Sequence, residues 1–230
     1  MKSTERCYQG YPLLQVHMRL TLPVTIAKKQ VLTAVLLFVI FVPAFAQREY
    51  SPDVNWLIEG LELEEGSVVA DIGAGDGDQT LEVAQYVGSS GHVYSTELES
   101  GELQELREAV ESADVDNVTV IQAHPARTNL PEQCCDALFL RRVYHHFDDP
   151  PSINASLLHS LKPGGRLAVI DFAPSGAESA DPAGRSTGSH HGITAQTVIK
   201  ELKQAGFILV SAEERGNRDV YIVVKKPEEN

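Results

Sequence analysis

Three closely spaced glycines carry the sharpest chemical signal in this chain. Val68-Val69-Ala70-Asp71-Ile72-Gly73-Ala74-Gly75-Asp76-Gly77 reads as a β-strand running into G-x-G-x-G, and Thr80, Leu81, Val83, Ala84 and Val87 continue it as a helix. Glycines at such a turn bend the backbone tightly and admit a ligand to the main chain without a Cβ in the way. A dinucleotide fingerprint needs G-x-G-x-x-G, with pyrophosphate on the helix N-terminus. Here the third glycine comes one residue early, and Asp71, Asp76 and Asp78 ring the place where phosphates would sit. Each like-charge contact there would cost on the order of a kcal/mol or more. The turn suits a phosphate-free ligand, better still a cationic one. No G-x-x-x-x-G-K-S/T motif for a nucleoside triphosphate occurs.

A carboxylate sharpens the reading. The next strand ends Val93-Tyr94-Ser95-Thr96-Glu97, and an acid about 20 residues beyond the glycines, at that strand's end, is where a βαβ cofactor fold grips ribose hydroxyls. A second cluster, Arg141-Arg142-Val143-Tyr144-His145-His146-Phe147-Asp148-Asp149, follows the fourth expected strand. Tyr144 could flank a cationic ligand with its ring face, and His145 or His146 could take a proton near neutral pH. These three are the catalytic candidates; the bland alternative is that they pack, with Asp149 capping a helix at Pro150. His145-His146, Asp148-Asp149 and His190-His191 also raise the question of a metal. Adjacent histidines point apart on an extended chain, and no C-x-x-C, H-E-x-x-H or i, i+4 histidine pair occurs, so no metal is expected.

The elements that must position these groups alternate. Strands are expected at Ser67–Ile72, His92–Glu97, Val118–Ala123, Ala137–Arg141, Arg166–Phe172, Phe207–Ala212 and Val220–Val224. A short leading helix is expected at Pro52–Gly60. Leu103, Leu106, Val110 and Ala113 mark one helix face; Ile153, Leu157, Leu158 and Leu161 mark another, ended by Lys162-Pro163-Gly164-Gly165. Thr194 caps a third, with Val198, Ile199, Leu202 and Ala205 inward. Alternation of this kind predicts an α/β, Rossmann-like, doubly wound sheet of seven strands. Gly216-Asn217 between the last two strands predicts a C-terminal antiparallel hairpin, making the sheet mixed. Residues 173–193, small and polar without periodicity, are expected as a flexible loop over the sheet's carboxyl edge.

Composition agrees with a globular enzyme-sized domain. Of 230 residues 43% are hydrophobic and 22% charged, and 19 basic against 32 acidic residues give a net charge of −13. That sign opposes broad contact with phosphate backbones, so no nucleic-acid partner is expected. The three cysteines cannot staple the fold, and Cys134 and Cys135 are adjacent. The first 46 residues stand apart. Lys28-Lys29 lead into VLTAVLLFVIFVPAFA, residues 31–46, which ends in a small-x-small cleavage pattern before Gln47. Residues 1–46 are read as an N-terminal extension and signal peptide, and 47–230 as the exported domain, periplasmic or secreted. An uncleaved segment would instead leave the domain membrane-anchored, its one expected membrane contact.

With these residues in view, the chain resembles class I S-adenosylmethionine-dependent methyltransferases, especially small bacterial members with export signals. The resemblance covers about Asp53 to Lys226: Asp71–Gly77 is similar to the family's first motif, Glu97 to its ribose-binding acid, Cys135–Arg141 to its fourth strand, and Leu161-Lys162-Pro163-Gly164-Gly165-Arg166-Leu167 to its turn into strand five. It implies S-adenosylmethionine as cofactor and a small-molecule acceptor. It also implies that Asp71, Gly73, Ala74, Gly75 and Gly77 hold the methionine part, that Glu97 holds the ribose, and that Leu98, His124 and Arg141 complete the cofactor contacts. His124 stands where the family often has an acid facing the adenine amino group, so a neutral ring nitrogen or the backbone would have to accept there. Two other readings remain: a nicotinamide oxidoreductase, disfavoured by the glycine spacing and the aspartates, and a protein that binds the cofactor without transferring from it.

Overall fold

The computed structural model describes residues 49–228, which form one compact unit. The expected signal segment lies outside the described residues. Among these, no helix is long and apolar enough to cross a membrane.

Seven strands form one sheet: β1 (Val68–Ile72), β2 (His92–Glu97), β3 (Val118–Gln122), β4 (Cys135–Arg141), β5 (Leu161–Phe172), β6 (Ile208–Glu214) and β7 (Asp219–Lys225). Their spatial order is β3-β2-β1-β4-β5-β7-β6. Strands β1 to β5 pair in parallel, and β7 inserts antiparallel between β5 and β6. The mixed sheet and terminal hairpin agree with the sequence reading. The order reverses between β1 and β4, and the carboxyl ends of strands flanking such a reversal frame the cleft of an open α/β sheet. Register makes this concrete: Ile72 pairs with Thr96 on one side and with Leu140 on the other, so Gly73, Glu97 and Arg141 leave the sheet at one level.

Period-two alternation splits the core. On β4, Leu138 and Leu140 face a layer with Leu157, Val198 and Leu202, whereas Ala137 and Phe139 face Val54, Leu57, Val83 and Val87. The first layer is supplied by helices α4 (Pro150–Ser160) and α5 (Ala195–Gln204), the second by α1 (Pro52–Leu61) and α2 (Asp78–Val87); α3 (Ser100–Ser112) follows β2. Local chemistry sets the helix starts. Ser51, Asp149 and Thr194 each accept a backbone N–H of the first turn, and prolines open α1 and α4.

Several boundaries differ from expectation. Strand β5 begins at Leu161 rather than Arg166: Leu161 pairs with Cys135, and a register shift before Ala137 lets the extended chain pass through Pro163-Gly164-Gly165. Strand β4 therefore also starts two residues early, at Cys135. Strand β6 runs on through Glu213 and Glu214, because an edge strand keeps polar side chains solvated. Ala113 lies past the end of α3 and is exposed, so that helix buries Leu103 and Leu106 with Val110 half-covered. Nor is 173–193 a plain loop. It holds two short 3-10 turns, Pro182–Ser186 and Gly188–His190, and is pinned by Ile193 N–H to Phe172 O at 2.8 Å. The buried Arg185 guanidinium is paired with Glu201 at 2.9 Å, which anchors the same segment to α5.

Candidate active site

The turn after β1 is tied to β2 by its backbone. Gly73 and Ala74 N–H both donate to Thr96 O, at 2.9 and 3.0 Å. All three glycines adopt positive φ (73°, 55° and 84°), a region that penalises any side chain. Their surroundings are not alike. A Cβ on Gly73 would lie 2.7 Å from Val143 Cγ2, and one on Gly77 2.8 Å from Leu106 Cδ1. A Cβ on Gly75 would meet nothing within 4 Å. Two glycines are thus required by packing, and the middle one faces open space.

That space is bordered by Glu97, only 7% exposed at the end of β2. Its Oε2 accepts Gly75 N–H at 3.0 Å and its Oε1 accepts Leu98 N–H at 2.7 Å. Each oxygen keeps a lone pair for an incoming hydroxyl. Asp71, 2% exposed, accepts the Thr80 hydroxyl at 2.7 Å, and Thr80 also meets Ser95 Oγ at 2.7 Å. Burial pushes the Asp71 carboxyl up to about 7; the Thr80 hydrogen bond opposes this and the nearby Glu97 reinforces it. A buried acid held so close to neutrality gains from a positively charged neighbour. Arg141 does not supply it fully, since its Nε donates to Asp53 Oδ2 at 2.6 Å, and Asp53 also accepts the Tyr221 hydroxyl at 2.8 Å.

Leu98 and His124 flank the same end. Leu98 is a large apolar side chain left 39% exposed. His124 sits in the turn after β3, its backbone paired with Arg127 and its Nδ1 accepting Ala126 N–H at 3.2 Å. A neutral ring accepting at Nδ1 carries its proton on Nε2. His124 is therefore a donor here, and the acceptor role expected for its ring toward an adenine amino group does not hold in this arrangement; backbone is left for that contact.

The exit of β4 is shaped by Arg142, a non-glycine residue at φ 59° whose N–H donates to Ile170 O at 2.7 Å. Strained backbone of this kind clusters at functional sites. It carries Val143 onto Gly73 and starts a single 3-10 turn, Tyr144–His146. Tyr144 points inward: it is fully buried, its hydroxyl accepts Asn154 Nδ2–H at 2.6 Å, and burial raises its phenol far above the usual value. It packs in the core, which corrects its place among the catalytic candidates. His145 is 1% exposed, with Nδ1 2.8 Å from Asp171 Oδ1 and backbone N–H 3.2 Å from Asp171 Oδ2. His146 is exposed, and its ring lies 4.0 Å from that of His145 between centroids. The expectation that these neighbours point apart assumed an extended chain; the 3-10 turn brings them together. His191 completes the group, its Nε2 2.9 Å from His145 Nε2.

One member of this site escaped the sequence reading, and another was set aside there. Asp171, penultimate in β5, repeats the pattern of Glu97, a carboxylate at the carboxyl end of a strand, and that signal was available. His191 was weighed with His190 in the question of a metal and set aside; its contact with His145, 46 positions away, has no sequence signature.

Comparison with known proteins places this geometry among relatives. A family model described as a methyltransferase domain matches residues 63–214. The chain is 30% identical over 109 residues to a ubiquinone/menaquinone biosynthesis C-methyltransferase of Vibrio cholerae, covering 47% of this chain and 42% of that protein. It is 29% identical over 121 residues to a demethylmenaquinone methyltransferase of Listeria welshimeri, covering 51% of each. The chain thus spans about half the length of the curated relatives it matches. Among solved structures, an S-adenosylmethionine-dependent methyltransferase from Aquifex aeolicus superposes with a TM-score of 0.65 at 22% identity, over 75% of this chain and 89% of that one.

Proposed function

Because this chain belongs to the methyltransferase-domain family, and its domain is of the S-adenosylmethionine-dependent kind, we propose that it transfers a methyl group from that cofactor to a small-molecule acceptor. The observation that carries the reading is the open space over Gly75 beside the Glu97 carboxylate, at the reversal of strand order. The residues present fit the cofactor. Gly73, Ala74, Gly75 and Gly77 offer a backbone cradle, and Asp71 places a polarisable negative group beneath it. The free lone pairs of Glu97 match two ribose hydroxyls. Leu98 offers an apolar face to the adenine. When bound, the cofactor supplies a methyl group on a positively charged sulfur. The chain's own task is then alignment and exclusion of water more than covalent chemistry. His145 and His146, where β4 leaves the sheet, face the acceptor side, and Val143 packed on Gly73 holds that exit against the glycine turn. The names of the Vibrio and Listeria relatives point to quinone precursors as their acceptors, which supports a small-molecule acceptor here.

Isothermal titration with S-adenosylmethionine, S-adenosylhomocysteine and NAD tests the reading. Micromolar binding of the first two with NAD ignored is expected. Binding of NAD alone would establish the oxidoreductase alternative. Cofactor binding with no methyl transfer to a panel of thiols, phenols, amines and quinols would leave a binding protein. The N-terminal segment adds a location to the proposal: Lys28-Lys29, the apolar run 31–46 and the cleavage pattern before Gln47 support export of the domain. Mass spectrometry of the mature N-terminus tests it; a chain retaining Met1 would point to an anchor.

A further inference from the structure

The imidazoles beside the cofactor cradle form a group that cofactor binding does not use. One ring nitrogen each from His145, His146 and His191 lies within 4.8 Å of the other two. His145 is held from behind. Both oxygens of Asp171 already accept backbone N–H groups, from Phe172 at 2.9 Å and from His145 itself at 3.2 Å, so the carboxylate acts as acceptor and His145 Nδ1 donates to it. That fixes the tautomer and leaves a lone pair on His145 Nε2, aimed at His191 Nε2, which donates across 2.9 Å. A carboxylate behind one nitrogen of a buried histidine, with the other nitrogen free to give electrons, is the outer-shell arrangement that orients metal-ligating histidines. Phe172 walls the pair, with its ring centroid 4.9 Å from that of His145 and 5.0 Å from that of His191. The exposed His146 leaves the other side open.

We propose that His145, His146 and His191 form a binding site for a zinc-type divalent metal ion, with Asp171 as the positioning residue for His145 and with a fourth position open to water or to an anionic atom of the acceptor. Three imidazoles select a borderline first-row ion over magnesium or calcium, which prefer oxygen. Metal–nitrogen bonds of about 2.1 Å draw such ligands to roughly 3–3.5 Å from one another. The His145–His191 pair is already that close, so closing the remaining distance falls to the surface side chain of His146. The ion takes the place of the shared hydrogen bond, and His191 moves its proton to Nδ1. Val143, two residues before His145, packs on Gly73, which sets this site next to the proposed cofactor cradle. An acceptor that binds metals, a thiolate or phenolate, is the substrate class it would favour.

Cobalt(II) titration of the untagged, chelator-treated full chain tests the site without any cofactor, so its outcome is independent of methyl transfer. One cobalt per chain is expected, with visible absorption bands of a low-coordinate nitrogen site, displaced by zinc and not by magnesium. His191→Ala and His146→Ala, both at the surface side of the cluster, should each weaken binding more than tenfold while keeping the far-ultraviolet dichroism of the parent. Asp171→Asn should weaken it about 10- to 100-fold, and His190→Ala should leave it unchanged. Absence of stoichiometric cobalt, parent-like affinity in His191→Ala or His146→Ala, or loss of binding in His190→Ala would each overturn the proposal.

Discussion

Two regions share the carboxyl edge of this sheet and are built on opposite principles. Around β1 and β2 the candidate groups for a ligand are one glycine facing open space and the carboxylates beside it, the N–H groups of Gly73, Ala74 and Gly75 being already paired with Thr96 and Glu97. Around β4 and β5 they are side chains that hold one another: Asp171 on His145, His145 on His191, Phe172 against both. The first region is shaped for a ligand to complete it. The second is preorganised through a buried carboxylate and changes little until something displaces a hydrogen bond. What separates them is where the negative charge lies. In the first it fronts the open space over Gly75; in the second it sits behind the imidazoles, on His145 Nδ1.

The sharpest way to break this contrast is to remove the carboxylate of the first region. Glu97→Ala should cost about 1.5–3 kcal/mol of cofactor affinity, the range for hydrogen bonds to charged groups. Titration calorimetry would show this as a Kd rise of roughly 10- to 150-fold; an unchanged Kd removes the ribose role. Next in size is the seam between the regions. Gly73→Ala forces a Cβ to within 2.7 Å of Val143 at positive φ, and overpacking of this kind costs about 1–3 kcal/mol of stability. Val143→Ala in the same chain should recover part of the loss in denaturant unfolding, and strict additivity would mean the two do not touch.

Asp71 gives a test by sign. Its folded value is raised from 3.8 to about 7, so between those pH values the folded chain keeps a proton that the unfolded chain has released. The stability contribution is complete below pH 4 and is lost as pH climbs through 7. Asp71→Asn should flatten that slope in denaturant melts of the cofactor-free protein, and an identical slope would place the titration elsewhere. The smallest effect on the cofactor site is expected from Tyr144→Phe. It leaves the Asn154 amide without its acceptor and should cost about 1–3 kcal/mol at most in stability, with cofactor affinity unchanged. A large loss of affinity instead would return Tyr144 to the site.

Much of this was readable from local pattern. The strands announced themselves through runs of β-branched residues, the helix starts through Asp149 and Thr194, and the hairpin through Gly216-Asn217. Glu97 was singled out because its place at a strand end, after a glycine turn, is a spacing rule, and the structure sets it buried at the end of β2. Where reading failed, two physical options looked the same in one dimension. A Tyr and two histidines in succession give no sign that a one-turn helix buries the first, clamps the second and exposes the third. The Pro-Gly-Gly stretch before β5 looks like a stop, and only pairing with β4 through an irregular register shows that the strand has already begun.

The order of residues alone determined the alternating strands and helices, the glycine turn with its surrounding acids and the separate apolar N-terminal run, because each depends on periodicity, charge or composition over a few consecutive positions. Tertiary structure decided which glycine is open and which two are packed, that Arg142 turns the chain over Gly73, and that Asp171, His145, His146 and His191 meet. Those outcomes depend on distances between segments far apart in the chain, and such distances exist only once parallel strands in a common register bring their carboxyl ends to one edge.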